Sequence, residues 1–294
     1  MDPYHYIRQG EKGAWLSIIT YIVLATFKLV MATIGQSSAL RADGLNNATD
    51  VIASIAVLIG LKISRKPPDE DHHYGHFRAE MIASLIAAFI MMTIGIQVLI
   101  NTAQTFIEQN FQQPDMFTAW TALVCAIVMY GVHLYNLRLG NRINNSAIQA
   151  VAQDNKSDAL VSIGAFIGIL GAQFQLFWLD PLAGLIVGLI ICKTAWDIFR
   201  DATHTLTDGF HPKKIKKIKE SIEQNPHVLG IKDVKGRLHG NQALVDITIL
   251  VNPELTVKES HAIADRIEEK LKEEQDIPHA HIHIEPYEEE ESNK

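Results

Sequence analysis

The amino-acid sequence predicts a bundle of six transmembrane helices followed by a small cytoplasmic α+β domain of order αββαβ, a ferredoxin-like arrangement. Three observations indicate this fold class. Long apolar stretches fill the chain up to about residue 200, as expected of membrane spans. The rest of the chain is charged and rich in Lys, Glu and His. Within that second part, helical periodicity alternates with the two-residue periodicity of strands.

The six apolar stretches are each close to or above the ~20 residues that cross a ~30 Å hydrocarbon core. They cover residues 14–35, 38–63, 80–106, 115–138, 147–173 and 177–199. The first is too long for the apolar region of a signal peptide, which has roughly 7–15 residues, so we interpret it as a retained span. The second and fifth contain carboxylates and are weaker spans by hydropathy alone.

Positive charge is distributed unevenly over the connecting segments. Residues 36–37, 107–114 and 174–176 contain no Lys or Arg, whereas the segments on the other side carry several. The positive-inside rule therefore predicts a multi-pass cell-membrane protein with both termini in the cytoplasm. The predicted parts are an N-terminal segment (1–13), the transmembrane domain (14–208), the α+β domain (209–287) and an acidic tail (288–294).

The predicted α+β domain begins with the polar helix PKKIKKIKESIEQ, followed by a strand near residues 228–238. The alternating strand ALVDITILV, the helix ESHAIADRIEEKLKEE and the strand HAHIHIEP complete it. This succession of periodicities gives the order αββαβ.

The composition excludes several classes of function. The net charge is −7, and the sequence has no stripe of basic residues with aromatic residues between them. No nucleic-acid partner is therefore expected. Cys125 and Cys192 lie in apolar runs without CxxC spacing, so we expect buried thiols and no disulfide. No GxxxxGK[ST] loop is present, which argues against an ATP-driven pump on this chain. We expect neither enzymatic activity nor a cofactor.

Two pairs of polar residues interrupt the second and fifth spans. Asn46 and Asp50 are four residues apart, as are Asp154 and Asp158, so each pair shares one helix face. The first pair lies roughly 12–18 Å from the outer start of its helix, and the second roughly 10–17 Å from the inner start. In antiparallel helices these depths add up to one bilayer of ~30 Å. The four residues are therefore predicted to form one metal site at mid-membrane, where ionisable groups mark function.

The alternative interpretation, without a metal site, is that these carboxylates are protonated or are neutralised by a buried cation, with Lys28 and Arg41 as candidates. Asp43 is interpreted as a helix-end or packing residue, and Asp180 as the N-cap of the sixth helix before Pro181. Neither is included in the predicted site.

At these residues the sequence resembles the cation diffusion facilitator family of metal–proton antiporters. Ala42-Asp43 precedes the Asn46/Asp50 pair, DNKSD contains the second pair, and PPDEDHHYGHFRAE follows the second span. VDITILVNPELTVKESHAIADRIEE and IHIEP resemble the carboxy-terminal domain of the family. The resemblance implies a homodimer that exports a divalent metal from the cytosol in exchange for protons, by alternating access.

The choice of metal follows from the ligand atoms. Asn46 and the three aspartates offer only oxygen, which suits Mn²⁺, whereas imidazole and thiolate suit zinc. Zinc transporters of the family usually have at least one His in this site, and the Asn-x-x-x-Asp members are mostly manganese exporters. Mn²⁺ is therefore favoured, with Zn²⁺, Fe²⁺ and Co²⁺ as alternatives. Three carboxylates without a cation repel one another, so at least one should hold a proton that metal binding expels.

Two further metal sites are suggested by His spacing. Asp69, His72 and His76 in the loop after the second span have ligand-like spacing, and some relatives bind metal there; the alternative is a solvated loop that docks on the tail. His261, His283 and Glu285 match positions that bind metal in zinc-type relatives. Two further positions there hold Lys232 and Thr248 instead of His, and His239 is a candidate substitute. The alternative for this domain is dimerisation without metal.

A membrane-anchored metal sensor that moves no ions is the main rival class. The predicted mid-membrane depth of the ligands argues against it. A passive channel is a third possibility, but a site with three carboxylates binds a divalent ion too tightly for fast conduction.

Overall fold

The structure is a computed structural model that describes residues 3–64, 66–109, 111–143, 146–239 and 242–288. It divides into two compact units. The first contains residues 1–58 and 84–199, and the second contains residues 59–83 and 200–294. Apart from Glu288, the predicted acidic tail lies outside the described residues.

Six long helices account for the predicted spans. They are α1 (Pro3–Gly35), α2 (Ser38–Ser64), α3 (Ala79–Ile107), α4 (Met116–Ile143), α5 (Ser146–Gln173) and α6 (Leu179–Leu206). Helix α1 begins well before residue 14 and α6 continues past residue 199, because a helix can extend into water, where hydropathy gives no signal. The predicted helical membrane domain is confirmed.

Hydropathy separates these helices into two groups. Within the described residues, four stretches are long and apolar enough to cross a membrane: Trp15–Gly35, Ala79–Ile107, Met116–Arg142 and Leu179–Leu206. Helices α2 and α5 have 27 and 28 residues, a comparable length. They carry the two polar pairs, and these lower their hydropathy.

Small residues allow close packing between the helices of the first unit. A Cβ added at Gly168 of α5 would lie 2.5 Å from Ala183 Cβ and 3.0 Å from the Leu179 carbonyl of α6. At Gly164, one turn earlier in α5, nothing lies within 4 Å. Gly168 therefore permits the approach of α6, as small residues do in membrane helix pairs. Of the two thiols, Cys125 is buried and Cys192 is partly exposed.

Asp180 does not cap its own helix, so that prediction is wrong. Helix α6 already begins at Leu179, and the Asp180 carboxylate accepts hydrogen bonds from Ser37 Oγ at 2.6 Å and from the Ser38 backbone N–H at 2.7 Å. It also accepts a longer bond from the Ala39 N–H at 3.4 Å. Asp180 thus satisfies free N–H groups in the first turn of α2, a helix distant in sequence.

The second unit ends in the predicted α+β domain. Its elements are α7 (Pro212–Glu223), β1 (Gly230–His239), β2 (Gln242–Val251), α8 (Val257–Gln275) and β3 (His279–Pro286). The central strand β2 pairs antiparallel with β1 and parallel with β3. The order αββαβ is confirmed. Its core is formed by buried aliphatic residues of both helices and the sheet, including Ile218, Ile222, Val245, Ile247, Ile249, Ile267 and Leu271.

A capping box begins α8. Thr256 Oγ1 accepts from the Glu259 N–H, and the Glu259 carboxylate accepts from the Thr256 backbone N–H at 2.9 Å and from its hydroxyl at 2.7 Å. These bonds stabilise the ionised carboxyl, so the pKa of Glu259 is lowered. The C-cap residue Asp276, directly after the helix, is in the left-handed conformation.

Candidate metal centre

A cavity of about 730 Å³ in the first unit is lined by all four predicted ligands, Asn46, Asp50, Asp154 and Asp158. The spacing of four residues places both members of each pair on one face of α2 or α5. Residues of α1, α3 and α6, among them Tyr21, Met91 and Lys193, complete the lining. Neither His nor Cys occurs among the described residues that line it.

The amide of Asn46 joins carboxylates from the two helices. Its Nδ2 donates to Asp158 Oδ1 at 3.0 Å and lies 3.5 Å from Asp50 Oδ2. An amide nitrogen only donates, so it offers positive hydrogen to both carboxylates. In this arrangement the N–H group stands between the two acids, where a cation is expected to bind.

The three aspartates differ in exposure. Asp158 is only 8% exposed, Asp50 is half-buried and Asp154 is exposed. Among the described residues, only Asp69, His72 and His76 bring one ligand atom each to within 4.8 Å of the others. The three cavity aspartates therefore face a common space, but their carboxylate oxygens are farther apart than the ligand atoms of Asp69, His72 and His76.

Tyr21 is a residue of this centre that the sequence reasoning missed. Its hydroxyl donates to Asp158 Oδ2 at 2.7 Å and accepts from Asn155 Nδ2 at 2.9 Å. Ser17, four residues earlier on α1, donates to Asn155 Oδ1 at 3.1 Å. A second polar pair at helical spacing, Ser17 and Tyr21, was the available signal, but these uncharged residues are not unusual in a span.

Lys28 is not the counter-ion of the predicted site. Its ammonium donates to Asp43 Oδ1 at 2.9 Å, Asn47 Oδ1 at 2.6 Å and Ser162 Oγ at 2.9 Å. Since an ammonium has three N–H donors, these bonds use all of them. Asp43 lies inside α2 and not at its end, and the other candidate cation, Arg41, is exposed.

The loop residues Asp69, His72 and His76 converge in the second unit. His72 Nδ1 lies 3.0 Å from Asp69 Oδ1, and His76 Nε2 lies 3.4 Å from Asp69 Oδ2. The hydrogen bond from His72 lowers the pKa of Asp69 and keeps this carboxyl ionised. Gly75, at a φ of 81°, makes the turn between the histidines, a conformation that glycine adopts without strain.

The same loop also docks on the α+β domain, as the alternative interpretation had it. His239 Nε2 lies 3.1 Å from the Tyr74 carbonyl, and its ring lies edge-on to Phe77 at 5.2 Å between centroids. Arg78, at the end of the loop, forms an ion pair with Asp208, which lies between α6 and the α+β domain. Ligand-like spacing and docking therefore occur together in this loop.

The candidate ligands of the α+β domain are only partly brought together. His283 Nε2 lies 3.7 Å from Glu285 Oε1, and the other oxygen of Glu285 is paired with Lys232. His261 lies 3.6 Å from Asp265 on α8. His239 pairs with position 242 of β2, whereas His283 pairs with position 248. At ~3.3 Å per residue this is roughly 20 Å along the sheet, so His239 cannot replace a missing ligand there within one chain.

Comparison with known proteins gives two consecutive matches. The sequence profile of the cation efflux transmembrane domain matches residues 14–207, and that of the cation efflux protein cytoplasmic domain matches residues 210–287. The chain is 51% identical to the manganese efflux system protein MneS of Bacillus subtilis over 98% of this chain and 99% of that protein. It is also 51% identical to the uncharacterized transporter YdbO of the same organism, over 97% and 99% of the two chains.

A more distant relative has a similar name. The manganese efflux system protein MneP of Bacillus subtilis is 33% identical over 96% of this chain and 97% of its own length.

Proposed function

This chain belongs to the cation diffusion facilitator family, and from this premise we propose that it exports Mn²⁺ from the cytosol in exchange for protons. It is a multi-pass membrane transporter of the cation efflux class and not an enzyme. The metal, the exchange partner and the orientation with both termini in the cytoplasm are our proposals. So are the homodimer and alternating access.

The contact of the Asn46 amide with two carboxylates carries this proposal. The amide nitrogen faces Asp158 Oδ1 at 3.0 Å. An arriving divalent ion replaces that N–H group between the carboxylates, and the side chain turns to offer its oxygen. An asparagine can do both, because its amide carries a donor and an acceptor. An aspartate at the same position could only accept.

The ligand atoms support manganese over zinc. Carboxylate and amide oxygens suit Mn²⁺, whereas zinc is better bound by imidazole or thiolate. The described lining of the cavity contains no His and no Cys. MneS and MneP, which are named as manganese efflux system proteins, agree with this choice of ion.

Charge balance supports exchange for protons. The charged side chains lining the cavity are Asp50, Asp154, Asp158 and Lys193, and Lys193 is paired with Asp197 at 2.8 Å. Carboxylates that face one cavity without a cation repel one another, so at least one holds a proton that a divalent ion displaces. Proton release on one side and uptake on the other then couple the two fluxes.

The test is metal flux into proteoliposomes with a fluorescent ion indicator and a pH indicator. We expect faster Mn²⁺ than Zn²⁺ flux, opposite proton movement, and loss of both in Asp50→Ala. Asp115→Ala, which removes an exposed carboxylate before α4, should transport normally. Mn²⁺ flux without proton movement would reject the antiport. Tight Mn²⁺ binding without any flux would favour the sensor.

The loop group Asp69, His72 and His76 is a second proposed metal site. Its compact carboxylate and two imidazoles differ from the all-oxygen cavity and suit ions such as zinc. Replacing all three residues by Ala should reduce bound Zn²⁺ by one ion per chain without abolishing transport. Unchanged stoichiometry would leave docking on the α+β domain as the role of the loop. A site at His261, His283 and Glu285 stays a prediction.

A further inference from the structure

Asp158 has both carboxylate oxygens engaged in hydrogen bonds. Oδ1 accepts from Asn46 at 3.0 Å, and Oδ2 accepts from the Tyr21 hydroxyl at 2.7 Å. Tyr21 is 6% exposed and Asp158 8% exposed. Asp154, one turn earlier on the same helix, is exposed. Asp158 is therefore held in one orientation, while Asp154 is free to adjust to an ion.

The direction of the Tyr21 hydrogen bond is determined by its other neighbour. Asn155 Nδ2 donates to the phenol oxygen at 2.9 Å. A phenol has a single O–H donor, so its hydrogen must point away from the amide and toward Asp158. The bond to the carboxylate is therefore donated by Tyr21.

Asn155 is held in turn by residues of two other helices. Its Oδ1 accepts from Asn136 Nδ2 at 2.9 Å and from Ser17 Oγ at 3.1 Å, and its side chain is fully buried. Asn136 also donates to Ser17 Oγ at 2.8 Å. These hydrogen bonds hold the Asn155 amide in one orientation, while Asn136 Oδ1 has no partner among the described residues. Helices α1, α4 and α5 thus fix the phenol that fixes Asp158.

We propose that Tyr21 is a positioning residue of the metal site, holding Asp158 by Oδ2 so that Oδ1 is the oxygen presented to the ion. The inference rests on the proposed function. An oriented ligand loses less conformational freedom when the ion binds, so the phenol raises affinity without touching the metal. Removing such supporting hydrogen bonds typically costs ~10–100-fold in metal affinity or activity.

The ring of Tyr21 has a separate packing role. It belongs to a buried cluster with Leu24, Cys125 and Met129, whereas the hydroxyl reaches the cavity. The variant Tyr21→Phe keeps the ring and removes the hydroxyl, which is the donor to Asp158 and the acceptor from Asn155. Tyr135→Phe is the matched control, because Tyr135 is 48% exposed on α4.

The experiment measures Mn²⁺ affinity by equilibrium dialysis in detergent and Mn²⁺ flux in proteoliposomes. For Tyr21→Phe we expect Kd and KM to rise about tenfold, with the maximal flux close to that of the wild type. The thermal unfolding midpoint should fall modestly, because the buried Asn155 Nδ2 loses its acceptor. Tyr135→Phe should match the wild type throughout.

Two results would overturn the inference while leaving the proposed function intact. One is a Tyr21→Phe protein with the Kd and KM of the wild type. The other is an unchanged Kd together with a lower maximal flux and a lower unfolding midpoint, which indicates packing alone. A wild-type protein that binds and transports no Mn²⁺ refutes the proposed function, and this inference with it.

Discussion

Lys28 Nζ lies 2.9 Å from Asp43 Oδ1, and neither side chain has any exposed surface. The same ammonium bonds Asn47 of α2 and Ser162 of α5. Asp43 is within one helical turn of Asn46, and Ser162 is one turn from Asp158. The pair therefore joins α1 to the two helices that carry the candidate site.

Removing one partner of this pair should be strongly destabilising. Lys28→Met leaves the Asp43 carboxylate buried and unpaired, a change that typically costs ~3–5 kcal/mol. In Lys28→Met/Asp43→Asn no charge is left unpaired, so most of the loss should be recovered. Thermal unfolding midpoints in detergent measure both variants. A double variant as unstable as the sum of its single changes would contradict this account.

Imidazole at the candidate site should change ion preference. Asp154→His introduces a nitrogen ligand at a cavity position, so the ratio of Zn²⁺ to Mn²⁺ flux should rise about tenfold or more. Gln153→His is the control, because its exposed side chain is not part of the cavity lining. Flux measured in competition between the two ions gives the ratio. Unchanged selectivity in Asp154→His would count against Asp154 as a ligand.

Two glycines of α5 should respond in opposite ways to alanine. At Gly168 the new methyl group meets Ala183 Cβ at 2.5 Å, so α5 and α6 must separate, at a cost of roughly 1–3 kcal/mol. At Gly164 the methyl group meets nothing within 4 Å, so Gly164→Ala should gain roughly 0.5–1 kcal/mol of helix stability. Unfolding midpoints compare the two. Equal shifts would mean that close packing at Gly168 has no energetic role.

Acid should remove the stabilising effect of the Glu259 carboxylate at the start of α8. Because the pKa of Glu259 is lowered in the folded protein, its stabilising effect is complete above the ordinary value of 4.5. It is lost as pH falls through the lower folded value. In Thr256→Ala the pKa of Glu259 should return toward 4.5, so this pH-dependent stabilisation should be absent. Carboxyl NMR titration of Glu259 checks this, with Ser260→Ala as the control that should leave the titration unchanged.

Periodicity in the sequence was sufficient for the helices and strands. Asn46/Asp50 and Asp154/Asp158 were identified because polar pairs at helical spacing are costly within apolar spans. The alternation of apolar and polar residues likewise predicts strands β2 and β3 from local sequence. These features depend on neighbours within one or two turns, so one sequence contains them.

Contacts between distant elements could not be predicted in this way. The choice of Asp43 as partner of Lys28, and of Tyr21 as donor to Asp158, depends on how α1 is rotated against α2 and α5. The strand register that separates His239 from His283 likewise appears only in the folded sheet. Asp180 gave a misleading local signal, because Pro181 follows it as it would follow an N-cap.

The bonds of Asp180 have a consequence for motion. Its carboxylate holds the first residues of α2 to the start of α6, so a rearrangement that keeps these bonds carries both helix starts as one rigid piece. Spin labels placed there should keep one distance distribution with and without Mn²⁺. The movement that exposes the cavity to one side or the other would then occur at interfaces other than this one. The Asp180 carboxylate lies outside the cavity, yet it thus limits which helices can move relative to one another.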